Sequence, residues 1–250
     1  MLSPSPNVYL ADNAHALCEA SADAYLGRES DADAVVQCLI TDTVVTLTKA
    51  GDYVVMAFRG TKDLRNWLTD LDCHLVEDGG LRVHAGFCEA WKSVAEDVVK
   101  TIETLQPGAN QLFMKRLFIT GHSLGGALAQ LAAFDLAVKY GRSALAGVYT
   151  FGQPRVGDPG FARAYNNLIG DRTFRVVHDV DIVPHVPWLL GTRRHTEREI
   201  YYDGAGICHE RAPRLWRVEM QLLATWHGLA QRRAVNLDDH HIDTYLALFK

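Results

Sequence analysis

Apolar residues follow two rhythms along this chain. Tyr53-Val-Val-Met-Ala-Phe58, Leu117-Phe-Ile-Thr120, Ala146-Gly-Val-Tyr-Thr-Phe151 and Thr173-Phe-Arg-Val-Val177 are short, nearly unbroken apolar runs, the profile of strands buried on both faces. Between them the spacing becomes helical: Glu89 to Leu105, closed by Gln106-Pro-Gly; Leu124 to Tyr140, stopped at Gly141; and Phe161 to Leu168. Val35 to Ile40 and Val44 to Thr48 read as a preceding pair of strands. The order β-α-β-α-β predicts an α/β fold: a mostly parallel central sheet with right-handed crossovers and helices on both faces. Beyond Pro187 the pattern loosens. Glu199 to Asp203 fits a strand, and Leu215, Trp216, Met220, Leu223, Trp226 and Leu229 fit one apolar helix stripe. Basic residues from Arg211 to Arg233 flank that stripe, which reads as a surface helix with a solvated basic face, or alternatively as an interfacial element.

Composition narrows the class. The 250 residues are 48% apolar, enough for a substantial core, and the length favours one domain over residues 1–250. Lys and Arg number 25 against 30 Asp and Glu, so the net charge of −5 offers no electrostatic case for nucleic acid. No run approaches the roughly 20 apolar residues of a membrane span. The opening Met1-Leu-Ser-Pro-Ser-Pro-Asn7 has neither the basic nor the apolar region of a secretory signal. As written the sequence predicts a cytoplasmic protein, or an extracellular one whose signal has been removed. Cys18, Cys38, Cys73, Cys88 and Cys208 form no C-x-x-C pair; free, mostly buried thiols are expected, with one or two disulfides as the alternative, and no metal site.

The chemistry concentrates at Gly121-His-Ser123-Leu-Gly125. This G-x-S-x-G follows a predicted buried strand and opens an Ala-rich helix, the strand–turn–helix setting that a nucleophile elbow requires. A serine needs a base and an orienting carboxylate, which in this fold follow in the order Ser, acid, His. Asp179 and Asp181 lie just past a later strand, and Asp181 is the favoured acid. Near the C-terminus, Asp239-His240-His241 supplies the base. His185, His195, His209 and His227 are read as surface or structural histidines. The oxyanion needs preorganised donors. Leu124 N–H is one, and Thr61, in the Phe58-Arg-Gly-Thr61 loop, offers the second.

Together these residues resemble the class 3 lipases, the fungal-lipase-like branch of the α/β hydrolases. Phe58-Arg-Gly-Thr61, Asn66-Trp67, Val83-His-Ala-Gly-Phe87, Gly121-His-Ser-Leu-Gly-Gly126, Thr150-Phe-Gly-Gln-Pro-Arg-Val-Gly157, Asp181-Ile-Val-Pro184 and Asp239-His240 occur in that family's order. The resemblance implies Ser123 as nucleophile, Asp181 as acid and His240 as base, with Thr61 and Leu124 holding the oxyanion. His241 is the alternative base. It further implies a lipid-ester hydrolase without a cofactor, of the triacylglycerol lipase or esterase type. Phospholipase A1, a feruloyl-type esterase and a catalytically silent interaction module are the alternatives. A short lid is expected within 62–80, where Leu64, Trp67, Leu68 and Leu71 fall on one helical face; an ordinary core helix is the competing reading. Substrate is expected as a lipid or ester, met at a lipid–water interface if the lid operates.

Overall fold

Each unbroken apolar run forms a strand covered on both sides. The computed structural model describes residues 1–25, 31–61, 74–105, 116–179, 181–186, 195–196, 198–210 and 238–250. Helix α1 (Ala11–Tyr25) precedes strands β1 (Ala34–Cys38), β2 (Thr43–Ala50) and β3 (Tyr53–Phe58). A hairpin of β4 (Leu75–Asp78) and β5 (Leu81–His84) leads into α2 (Ala85–Leu105). Then follow β6 (Arg116–His122), α3 (Leu124–Tyr140), β7 (Leu145–Phe151), α4 (Pro159–Ile169), β8 (Thr173–His178), β9 (Glu199–Tyr202), β10 (Cys208–His209) and α5 (Ile242–Ala247).

Eight strands make one sheet in the order β1-β2-β3-β6-β7-β8-β9-β10. From β3 through β9 the neighbours run parallel; β1 and β2 add two antiparallel pairings at one end and β10 one at the other. Within β3 and β6 alternate residues serve opposite faces. Val54, Met56, Phe58, Leu117 and Ile119 join α2, α3 and α4 in one core, and Val55 and Phe118 join α1 and Tyr245 of α5 in the other. Because both faces are apolar, the period of two disappears from the sequence and a continuous run remains. Register brings the working ends together: Phe58 is level with Gly121, Gly121 with Thr150, and Phe151 with Val176. The loops after β3, β6, β7 and β8 therefore open on one edge of the sheet.

Three features depart from the sequence reading. Helix α1 has no counterpart there. Its buried side is built from Ala14, Leu17, Cys18, Ser21, Ala22 and Ala24, too small to stand out as an amphipathic stripe. It is bolted to β6 by Ser21 Oγ, 2.9 Å from Thr120 Oγ1, and by the Thr120 hydroxyl donating to Leu17 O at 3.1 Å. Helix α2 begins at Ala85 rather than Glu89, since Phe87 N–H donates to His84 Nδ1 at 3.4 Å and the first turn is capped despite Gly86. Among the described cysteines all four are free, but only Cys18 and Cys88 are buried. Cys38 on edge strand β1 is half-buried against the core, and Cys208 on edge strand β10 is exposed.

The proposed lid residues Leu64, Trp67, Leu68 and Leu71 and the stripe from Leu215 to Leu229 lie outside the described residues. Of the 62–80 segment, Leu75–Asp78 is a strand paired with β5. Among the described residues no helix is long and apolar enough to cross a membrane, and no His, Cys, Asp and Glu group is arranged to hold a metal ion.

Candidate active site

Strand β6 ends in Gly121-His122, and the chain then turns through Ser123 at φ 57° and ψ −128° before α3 begins. A positive φ at a residue with a side chain costs about 1–3 kcal/mol and survives only where the surroundings dictate it. Ser123 N–H donates to Phe151 O of the neighbouring strand at 2.9 Å, and Gly126 N–H donates to Ser123 O at 3.0 Å. The flanking glycines are required by contact. A Cβ on Gly121 would lie 2.3 Å from the Gly125 carbonyl, and one on Gly125 would lie 2.2 Å from Phe58 O. Strand, turn and helix close only without those side chains.

The loop after β8 carries the carboxylate. Asp181 is fully buried and accepts three hydrogen bonds: from Val183 N–H at 2.8 Å on Oδ1, and from Tyr245 Oη at 2.6 Å and His240 Nδ1 at 2.7 Å, both on Oδ2. A carboxylate is acceptor-only, so His240 carries its proton on Nδ1 and presents Nε2 bare. His240 is itself 1% exposed. Its Nε2 and the Ser123 hydroxyl are both buried, and each is without a hydrogen-bond partner among the described residues. Unpaired buried polar atoms cost about 1–3 kcal/mol each. Two of them on the same sheet edge, one nucleophilic and one basic, mark a site kept open for a reacting group.

The rival residues are engaged elsewhere. Asp179, at φ 34°, accepts from Tyr201 Oη at 3.4 Å, and desolvation raises its pKa. His241 is exposed and precedes α5. His209 pairs with Asp203 at 2.9 Å, and half-buried His195 hydrogen-bonds the Pro184 carbonyl; His227 lies outside the described residues. Thr61 stands three residues past Phe58 and Ser123 two past Gly121, so paired parallel strands deliver both to the same edge. Leu124 is the first residue of α3, where helix N–H groups lack partners within the helix.

Four further residues complete the site and were not read from the sequence. Tyr245 is fully buried and bridges two elements, since its hydroxyl donates to Asp181 and accepts from His178 N–H at 3.2 Å. Desolvation, then the neighbouring carboxylate, push its pKa well above that of free tyrosine, so it remains a donor. Gly152, at φ +57°, lies beneath the Asp181–His240 pair. The adjoining Gln153 amide donates to Gln130 Oε1 of α3 at 2.5 Å and accepts from Thr150 Oγ1 at 2.7 Å, which ties this loop to the helix that follows Ser123. Tyr25 and His122 are the other two: no local pattern marks Tyr25, and His122 stands in the G-x-S-x-G motif at a position whose side chain the motif leaves unspecified.

Gly152→Ala is a direct probe of that floor. The new Cβ would stand 2.7 Å from His240 Cε1 and 2.8 Å from Asp181 Oδ2, so the pair must shift. Turnover is expected to fall about 100-fold. The left-handed backbone costs an alanine about 1–2 kcal/mol, which lowers Tm by only ~2–8 °C. Parental turnover with a parental Tm would show that the pair tolerates the group.

A mostly parallel sheet with helices on both faces, a strained serine turn after β6 and an Asp–His pair on later loops define an α/β hydrolase. The family model for lipase (class 3) matches residues 55–190, and the chain belongs to that family. It is 35% identical over 177 residues to the secreted mono- and diacylglycerol lipase 1 of Fusarium solani, covering 65% of this chain and 48% of the relative. The lipase of Rhizomucor miehei is 37% identical over 155 residues, covering 59% of this chain and 41% of the relative. The chain thus spans about half the length of the curated relatives it matches. The solved Rhizomucor miehei lipase–propeptide complex superposes with TM-score 0.70 at 29% identity, covering 79% of this chain and 70% of that one. A triacylglycerol lipase structure described as having a serine protease triad at its catalytic centre gives TM-score 0.63 at 29% identity, over 76% and 78% of the two chains.

Proposed function

We propose that this chain, as a single domain, hydrolyses carboxylic esters of lipids, acylglycerols foremost, through an acyl-enzyme on Ser123. The observation that carries the reading is the arrangement of two buried atoms without partners among the described residues, Ser123 Oγ and His240 Nε2, with Asp181 bonded to the far side of the imidazole. Ser123 Oγ attacks the ester carbonyl carbon while His240 Nε2 takes its proton. Asp181 fixes the tautomer and stabilises the imidazolium. Charge gathering on the carbonyl oxygen is met by Thr61 and by Leu124 N–H. The tetrahedral adduct collapses, the C–O bond to the alcohol breaks, and the departing oxygen takes the proton from His240. Water, deprotonated by the same Nε2, then attacks the acyl carbon, and the fatty acid leaves as the serine recovers its proton. Each bond made and broken balances with the side chains named.

The acylglycerol assignment rests on the names of the relatives, mono- and diacylglycerol lipases and a triacylglycerol lipase. The expectation of a cytoplasmic protein finds no support among them. Several are named as secreted, and an extracellular place of action is the reading adopted here. A panel of mono-, di- and triacylglycerols, phosphatidylcholine and feruloyl esters tests the substrate class. Acylglycerol turnover at least about tenfold above the others, or ~1.4 kcal/mol in transition-state terms, is expected. Faster cleavage of phosphatidylcholine or of feruloyl esters would replace the assignment with one of those classes.

A further inference from the structure

The residue between Gly121 and Ser123 is a histidine with its own set of bonds. His122 is 4% exposed, and its Nε2 lies 2.7 Å from the backbone carbonyl of His240. A carbonyl only accepts, so Nε2 carries the hydrogen and Nδ1 is left as an acceptor. Tyr25 Oη donates to it at 3.0 Å, with a longer contact of 3.4 Å to His122 O. The two imidazoles lie 4.6 Å apart, and the Tyr25 ring meets His122 edge-on at 5.7 Å. Tyr25 also borders the loop that carries Thr61, because a Cβ on Gly60 would fall 1.7 Å from its hydroxyl and 2.7 Å from His122 O.

We propose that Tyr25 and His122 are positioning residues for the hydrolysis, a hydrogen-bonded strut from α1 through the nucleophile turn to the backbone of the base. The proposal rests on Ser123 and His240 acting as assigned above. Three segments must meet for the reaction: the loop of Thr61, the turn of Ser123 and the C-terminal segment of His240. They are far apart in sequence, and residues 211–237 leading to His240 lie outside the described structure. His122 is part of the turn, holds His240 by its carbonyl, and is itself held by Tyr25, which abuts Gly60. The strut acts on the placement of Nε2, while the Asp181 bond acts on the rotation of the ring; the two constraints are complementary. Both ring nitrogens of His122 are engaged and burial disfavours its cation. It therefore takes no proton in place of His240 and adds no charge beside the imidazolium that forms there.

The test uses the full chain and a soluble fluorophosphonate alongside an acylglycerol. Tyr25→Phe keeps the ring and removes only the hydroxyl. His122→Leu removes the strut, and His122→Gln restores an N–H donor near the position of Nε2. Tyr25→Phe is expected to lower kcat about tenfold and His122→Leu about 100-fold, with KM within about twofold of the parent. His122→Gln is expected to recover most of the His122→Leu loss, and the phosphonylation rate at Ser123 should follow the same series. Should His122→Leu fail to fold, Tyr25→Phe and His122→Gln decide the matter. Parental kcat in Tyr25→Phe, or a His122→Gln as slow as His122→Leu when both are folded, would overturn the strut. If the parent itself is not labelled at Ser123, the hydrolase reading fails instead, which separates the two outcomes.

Discussion

Ser123→Ala is expected to lower ester turnover by about 10⁵–10⁶-fold and to abolish labelling by a fluorophosphonate, with the fold intact. The size follows from the covalent route. Without Oγ there is no acyl-enzyme, and only the oxyanion donors and substrate binding remain to assist water. The same change is expected to be neutral or stabilising to the fold. The hydroxyl is buried and has no partner among the described residues, so its removal takes away a desolvated polar group and breaks no hydrogen bond among them. The positive φ persists in the variant, so strain in the turn is unchanged. Intact-mass detection of the adduct on the parent and not on the variant, with Tm measured on both, checks the two parts together. Labelling retained by Ser123→Ala would remove Ser123 from the mechanism.

His240→Ala is expected to cost about as much, because a nucleophile and its base act as a unit and losing either member disables both. The adjacent His241→Ala supplies the contrast: that side chain is exposed and far less constrained, and parental turnover is expected. The pair of variants differs by one position in the chain and by about five orders of magnitude in outcome. His240→Ala also empties a buried site and leaves Asp181 Oδ2 with Tyr245 as its remaining donor there. Its Tm should therefore fall by a few degrees, the order expected for a buried carboxylate losing one charge-assisted bond. A His241→Ala variant as inactive as His240→Ala would exchange the roles.

The sheet, its parallel order and the serine turn were legible in the residues because each depends on neighbours within one or two elements. Continuous apolar runs give doubly covered strands, and Gly121 and Gly125 bracket Ser123 because the backbone there passes within contact of itself. Helix α1 was not legible, since a helix that buries alanines leaves little periodic contrast, yet it supplies Tyr25.

What the sequence by itself determined is thus the architecture, the serine turn and a short set of candidate acids and bases. Tertiary structure decided among them. Asp181 rather than Asp179 meets His240, because the chain turns again after β8, where Asp181 N–H returns to His178 O at 2.9 Å, and Asp179 is left facing Tyr201 of the next strand. His240 rather than His241 points inward, because its carbonyl is bonded to His122, 118 residues earlier in the chain, and its ring to Asp181, 59 residues earlier. Gly152 has its role only because those two side chains come to rest on it. Local spacing carries information about backbone geometry. Which of two adjacent carboxylates or imidazoles meets its partner is set by contacts between distant segments, and those exist only once both cores have closed on the sheet.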